Sequence, residues 1–89
     1  MTTIHYSDYY LSQRKKYLKN NSKQVELVIA KIKLFLRNPH HPGLNLEKLK
    51  GSSVWTIRIN KGDRIFFYWI KASQALFIDI GAHDKYRRY

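Results

Sequence analysis

The apolar positions of this 89-residue chain follow two different periods. Residues 2–6, TTIHY, are β-branched and aromatic, which suits a short first strand. The spacing then becomes helical. Ser7 or Asp8 can cap a helix by accepting from its free N–H groups, and Tyr10, Leu11, Tyr17 and Leu18 fall on one side of that helix. Asn20-Asn21-Ser22 is turn chemistry, with Ser22 placed to cap a second helix. Val25, Val28, Ile29, Ile32, Phe35 and Leu36 form one apolar stripe. Asn38-Pro39 stops it, because a residue before proline avoids the helical conformation. Residues 8–37 therefore read as a helical hairpin with one buried side.

The period falls to two in the second half. HHPGLNLEKLKGSS is a connection pinned to the core by Leu44, Leu46 and Leu49. VWTIRIN then sets Trp55, Ile57 and Ile59 on one face against Val54, Thr56 and Arg58 on the other. After a turn at Lys61-Gly62-Asp63, RIFFYWI sets Ile65, Phe67 and Trp69 against Arg64, Phe66 and Tyr68. Both faces of that strand are apolar, so it is expected at the centre of the sheet. Ala72-Ser73-Gln74 is a second turn, and LFIDI a last strand that Gly81 ends. The expected fold class is α+β, in a single domain over residues 1–89. An N-terminal strand and a two-helix hairpin accompany a mainly antiparallel sheet that ends in a three-stranded meander. The hairpin covers one face; the other is left partly open, with Arg58 or Arg64 among aromatics.

Charge sharpens this picture. The chain has 17 Lys+Arg against 6 Asp+Glu, a formal net charge of +11. That excess predicts a polyanionic partner. Cysteine is absent, which rules out disulfides, cysteine-based zinc sites and a thiol nucleophile, and suits a cytoplasmic setting. No apolar run approaches the roughly 18 residues of a membrane span, and MTTIHYSDYY lacks the pattern of a signal peptide. A cytoplasmic protein with no membrane partner is expected.

The candidate chemistry lies at the strand ends. Arg64 opens an apolar strand and needs an anion or a carboxylate; Asp79 is one option, a phosphate another. Arg58 should lie across from Arg64, where two like charges either share an anion or stand in solvent. His83 follows the last strand and can exchange a proton near neutral pH. Tyr86 and Tyr89 either touch a nucleotide or cover the sheet edge. Arg14, Lys15, Lys16 and Lys19 give the first helix a basic face, solvated or turned to an RNA backbone or an acidic partner. His40 and His41 are adjacent in sequence, a poor chelating pair, so no metal and no cofactor are expected.

The order strand, helix, helix, then three strands, together with LEKLKGSSVWTIRIN, DRIFFYWI and IDIGAHDKYRRY, resembles the RelE/ParE superfamily of toxins from type II toxin–antitoxin modules. The resemblance runs over nearly the whole chain. It implies a ribosome-dependent mRNA endonuclease that inhibits translation by 2′-OH attack on the adjacent phosphate, without metal. It also implies a cognate antitoxin, in a possible toxin–antitoxin hetero-oligomer. The matching positions give Arg64, His83, Arg58 and Tyr86 or Tyr89 as catalytic residues; Lys48, Lys50, Lys61, Lys85 and Arg87 are expected as RNA contacts. The ParE branch shares the fold and inhibits DNA gyrase instead; a lapsed member would only bind its antitoxin. The cluster of Arg58, Arg64, His83 and a terminal tyrosine favours the ribonuclease.

Overall fold

The structure, a computed structural model, describes residues 2–89. Its elements are β1 (Thr3–Tyr6), α1 (Asp8–Leu18), α2 (Ser22–Arg37), β2 (Glu47–Lys48), β3 (Trp55–Arg58), β4 (Asp63–Lys71) and β5 (Gln74–Ala82). Short 3₁₀ turns stand at Pro42–Leu44 and His83–Arg88. One five-stranded sheet runs β1-β5-β4-β3-β2. Strands β2 to β5 pair antiparallel in succession, while β1 joins β5 in parallel, with Thr3 opposite Gln74 and Tyr6 opposite Phe77. The expected α+β class and the central place of β4 are observed. β2 is an addition: two charged residues carry no strand pattern, and only the partner strand reveals them.

Local chemistry sets the helices. The Ser7 hydroxyl accepts from the Tyr10 N–H at 3.0 Å and starts α1. Ser22 does not cap α2; it is the first helical residue, and Asn21 holds the cap position without a side-chain bond. Val28 and Phe35 are buried, but Ile29 is 48% exposed and Leu11 38%. The buried line of α2 runs through Val28, Ile32 and Phe35, so Ile29 falls at the rim of the apolar arc.

The main core lies between helices and sheet. Phe35, Phe67 and Phe77 meet there, with ring centroids 5.1 Å apart for Phe35–Phe67 and 5.5 Å for Phe35–Phe77. Truncating so enclosed a phenylalanine to alanine typically costs about 3–5 kcal/mol. Ile57, Ile59, Ile65 and Phe67 face this core, as the alternation in β3 and β4 requires. Strand β5 breaks the alternation, since Phe77 and Ile80 both face the core although three residues apart. A bulge makes this possible: Phe66 pairs with Asp79 and Phe67 with Phe77, leaving Ile78 as the extra residue. Asp79 is thereby placed beside Phe66 on the far face of the sheet.

That far face is less open than expected. Leu49, Val54 and Phe66 are buried there in a second small core, with Tyr68, Ile78 and Tyr89 against it. Gly81 does not end the strand either. β5 continues through it, pairing Gly81 with Arg64 and Ala82 with Asp63. Its φ of +147° suits glycine, and a Cβ there would stand 2.9 Å from Lys85 Cε.

Candidate active site

On the far face, a cleft of about 250 Å³ opens between the β2 edge and the C-terminal 3₁₀ turn. Glu47, Leu49, Lys50, His83, Tyr86 and Tyr89 line it. Sheet register explains why the charged groups gather here. Arg58, Arg64 and Gly81 stand in one cross-strand row. Glu47 pairs with Thr56, two residues before Arg58 and so on the same face. His83 follows two residues after Gly81, and its N–H donates to the Gly62 carbonyl at 2.8 Å, which fixes it to the β3–β4 turn.

Arg64 is held by that turn. Its Nη1 donates to the carbonyls of Asn60 at 2.9 Å, Lys61 at 3.2 Å and Asp63 at 2.9 Å. Asp79 is not its partner. Burial and then the neighbouring Arg58 charge lower the Arg64 pKa from its ordinary value, with Glu47 and Asp63 acting the other way. Arg58 Nε is buried and has no hydrogen-bond partner. A buried donor left unpaired costs about 1–3 kcal/mol, and the two guanidiniums repel. A single anion beside both guanidiniums would offset their repulsion.

The turn is itself braced. Asn60 Oδ1 accepts from the N–H groups of Gly62 and Asp63, both at 2.9 Å. Asn60 Nδ2 donates to Asp63 Oδ2 and to Gln24 Oε1, both at 3.0 Å. The Tyr17 hydroxyl lies 2.7 Å from Asp63 Oδ2 and 3.0 Å from Gln24 Oε1. It has one proton, and the shorter contact to a charged acceptor takes it. Burial first, then this bond to Asp63, raise the Tyr17 pKa well above its ordinary value. A chain of bonds thus links both helices to the loop under Arg64.

Asp79 anchors the other wall. It is fully buried; Oδ1 accepts from the Ile80 N–H at 2.8 Å and Lys85 Nζ at 2.9 Å, and Oδ2 from the Tyr89 hydroxyl at 2.8 Å. Lys85 also donates to Gln13 Oε1 at 3.2 Å. Two expectations change here. Lys85 is turned inward and ion-paired, not presented to RNA. Tyr89 is engaged by Asp79 and packs on Phe66 at 5.5 Å, while burial and then the Asp79 bond raise its pKa, so it keeps its proton. It forms a wall of the cleft, a poor place for an acid–base catalyst.

Tyr86 is different: it is 42% exposed, with its ring 5.5 Å from that of His83 and the Arg87 guanidinium carbon 6.0 Å from its centroid. Lys50 lines the cleft, and Lys61 and Arg87 are exposed beside it. Lys48 pairs with Trp55, which sets it on the helix-side face, away from Glu47. Glu47 is the residue that sequence reasoning missed. It is the single carboxylate among the residues lining the cleft, and its signal was an acidic side chain within an otherwise basic LEKLK. His41 has a local task, its Nδ1 accepting from the Gly43 N–H at 2.9 Å.

No protein-family model matches the chain, and no curated protein matches it. Solved structures do. A YoeB/ParE toxin from Agrobacterium tumefaciens superposes with a TM-score of 0.76 at 18% identity, over 92% of this chain and 99% of that one. YafQ from E. coli strain BL21(DE3) gives 0.74 at 13% identity, over 96% and 97%. The YoeB-YefM complex from Staphylococcus aureus gives 0.72 at 22% identity, over 93% and 98%. Two helices on one face of a five-stranded mixed sheet are the RelE/ParE-like fold of these neighbours. At these identities it is the fold that is shared. Among the described residues, no helix is long and apolar enough to cross a membrane.

Proposed function

We propose that this chain is the toxin of a toxin–antitoxin module and acts as a metal-independent endoribonuclease on ribosome-bound mRNA. The observation that carries the reading is the cross-strand pair of Arg58 and Arg64, with the Arg58 Nε buried and unpartnered, on the same sheet face as a cleft lined by one carboxylate and one imidazole. Glu47 takes the proton of a ribose 2′-OH, and that oxygen attacks the adjacent phosphorus. The bond from phosphorus to the 5′-oxygen breaks, His83 as imidazolium protonates the leaving oxygen, and a 2′,3′-cyclic phosphate remains. Arg58 and Arg64 hold the charge that builds on the phosphoryl oxygens, the term usually largest in such reactions. Tyr86 stacks on a base beside the scissile bond. Lys50, Lys61 and Arg87 hold the flanking backbone. A base, an acid and two fixed cations are sufficient for this step without a metal.

The partner is an antitoxin that covers the cleft. The fold neighbours include a YoeB-YefM complex and a DinJ-YafQ complex, which supports a protein partner of this kind. Cytoplasmic action follows from the proposed substrate. The test is cleavage of a defined mRNA on programmed ribosomes, with product ends mapped. Glu47→Gln and His83→Ala are each expected to lower the single-turnover rate by about 10²–10⁴-fold. Full activity in both variants refutes the assignment. Loss of plasmid supercoiling by gyrase with intact mRNA selects the ParE-like alternative.

A further inference from the structure

The C-terminal 3₁₀ turn, which carries His83 and Tyr86, buries none of its own residues. Apolar packing reaches it only through the Tyr89 ring on Phe66 just past its end, and polar ties hold the rest. Four exist. The His83 N–H meets the Gly62 carbonyl, and Arg88 Nη1 donates to the Tyr9 hydroxyl at 2.7 Å on the surface, where such a contact adds little. The other two, from Lys85 and Tyr89, end on the same carboxylate, Asp79.

Three independent features of the chain converge on that carboxylate. The bulge at Ile78 turns Asp79 to the far face. The missing side chain at Gly81 lets the Lys85 stem cross β5 within 2.9 Å of where a Cβ would sit. Gln13 on α1 takes a second proton of the Lys85 ammonium. Asp79 itself is fully enclosed, so its bonds are made where water does not compete.

We propose that Asp79 is the positioning residue of this cleft: it touches no substrate, and through Lys85 and Tyr89 it sets where His83 and Tyr86 stand. The statement about catalysis rests on the ribonuclease reading; the statement about position does not. The test uses the full chain and two readouts. Amide hydrogen exchange of residues 83–89 reports position, and steady-state cleavage of ribosome-bound mRNA reports its use.

In Asp79→Asn the amides of 83–89 exchange at least about tenfold faster, while those of β4 are unchanged. The kcat falls at least about tenfold and KM stays within about threefold, because Arg58 and Arg64 still hold the phosphate. Lys85→Arg keeps most of the parent rate, and Lys85→Met does not. If Asp79→Asn does not fold, the double variant Lys85→Met/Tyr89→Phe releases the same ties from outside the sheet and gives the same readouts. Unchanged exchange in 83–89 overturns the proposal. So does faster exchange with unchanged kcat. A parent protein that cleaves no RNA overturns the ribonuclease reading instead, and the exchange experiment still decides whether Asp79 holds the turn.

Discussion

Replacing Tyr17 with phenylalanine removes one oxygen from the bracing under Arg64. That hydroxyl gives its proton to Asp63 Oδ2 at 2.7 Å. A hydrogen bond to a charged group contributes about 1.5–3 kcal/mol net. Asp63 Oδ2 still accepts from Asn60 Nδ2 at 3.0 Å in the variant, so the carboxylate is not orphaned and the lower half of that range applies. The expected loss is about 1.5–2 kcal/mol, which in so small a domain lowers Tm by roughly 6–16 °C. Urea titration followed by the fluorescence of Trp55 and Trp69 measures it, with Tyr86→Phe as the control. The pH dependence adds a second check. Tyr17 has a raised pKa in the fold, so above about pH 10 the unfolded chain loses this proton while the native protein keeps it. The unfolded state then binds fewer protons, and the parent loses stability as pH rises. The gap between parent and variant therefore narrows above pH 10. A loss below about 0.5 kcal/mol at pH 7, the scatter of ordinary surface changes, or a gap that widens with pH, refutes the argument.

Three other outcomes follow from the same structure. Tyr10 is fully buried and its pKa is raised to about 12, mainly by burial, so its contribution is intact below the unfolded value near 10 and is lost between pH 10 and 12. The loss is about 3 kcal/mol at most, and urea midpoints should decline less steeply over that window in Tyr10→Phe. Gly81→Ala forces an unfavourable φ and displaces the Lys85 stem; it should cost about 1–3 kcal/mol in urea unfolding and speed exchange in residues 83–89. Arg64→Lys keeps the charge but loses the planar guanidinium, whose Nη1 rests on the turn carbonyls while its other N–H groups can meet a phosphate, so cleavage should fall about a hundredfold with the protein still folded, as read by single-turnover kinetics.

The sequence made the fold legible wherever side-chain period maps directly onto burial. β3 and β4 alternate strictly, and each face found its own core. The period is blind to two things. It does not see a strand defined by its partner, so Glu47–Lys48 read as connection and Glu47 was overlooked. Nor does it see a bulge: with strict alternation, Phe77 and Ile80 could not both face the helices, and the destination of Asp79 could not be foreseen. Arg58 and Arg64 were placed correctly as cross-strand neighbours because a short turn fixes register. Their surroundings were not, because a guanidinium capped by three backbone carbonyls is a property of turn geometry. Lys85 and Tyr89 looked like substrate contacts on residue type alone; a buried carboxylate beneath them claims both.

The parallel pairing of β1 with β5 bears on how the molecule is made. Thr3–Tyr6 must wait for Gln74–Phe77, some seventy residues later, before the sheet closes. Contacts of such sequence separation form late, because the intervening chain must be ordered before they repay the loss of freedom. The hairpin of helices can form early, yet it has no sheet to cover until β4 and β5 exist. The row of Arg58, Arg64 and Gly81 needs those same strands. A chain synthesised only as far as β4 therefore carries no assembled cleft, which is completed only once β5 is in place. A partner that recognises the finished sheet can bind only after those distant strands have met.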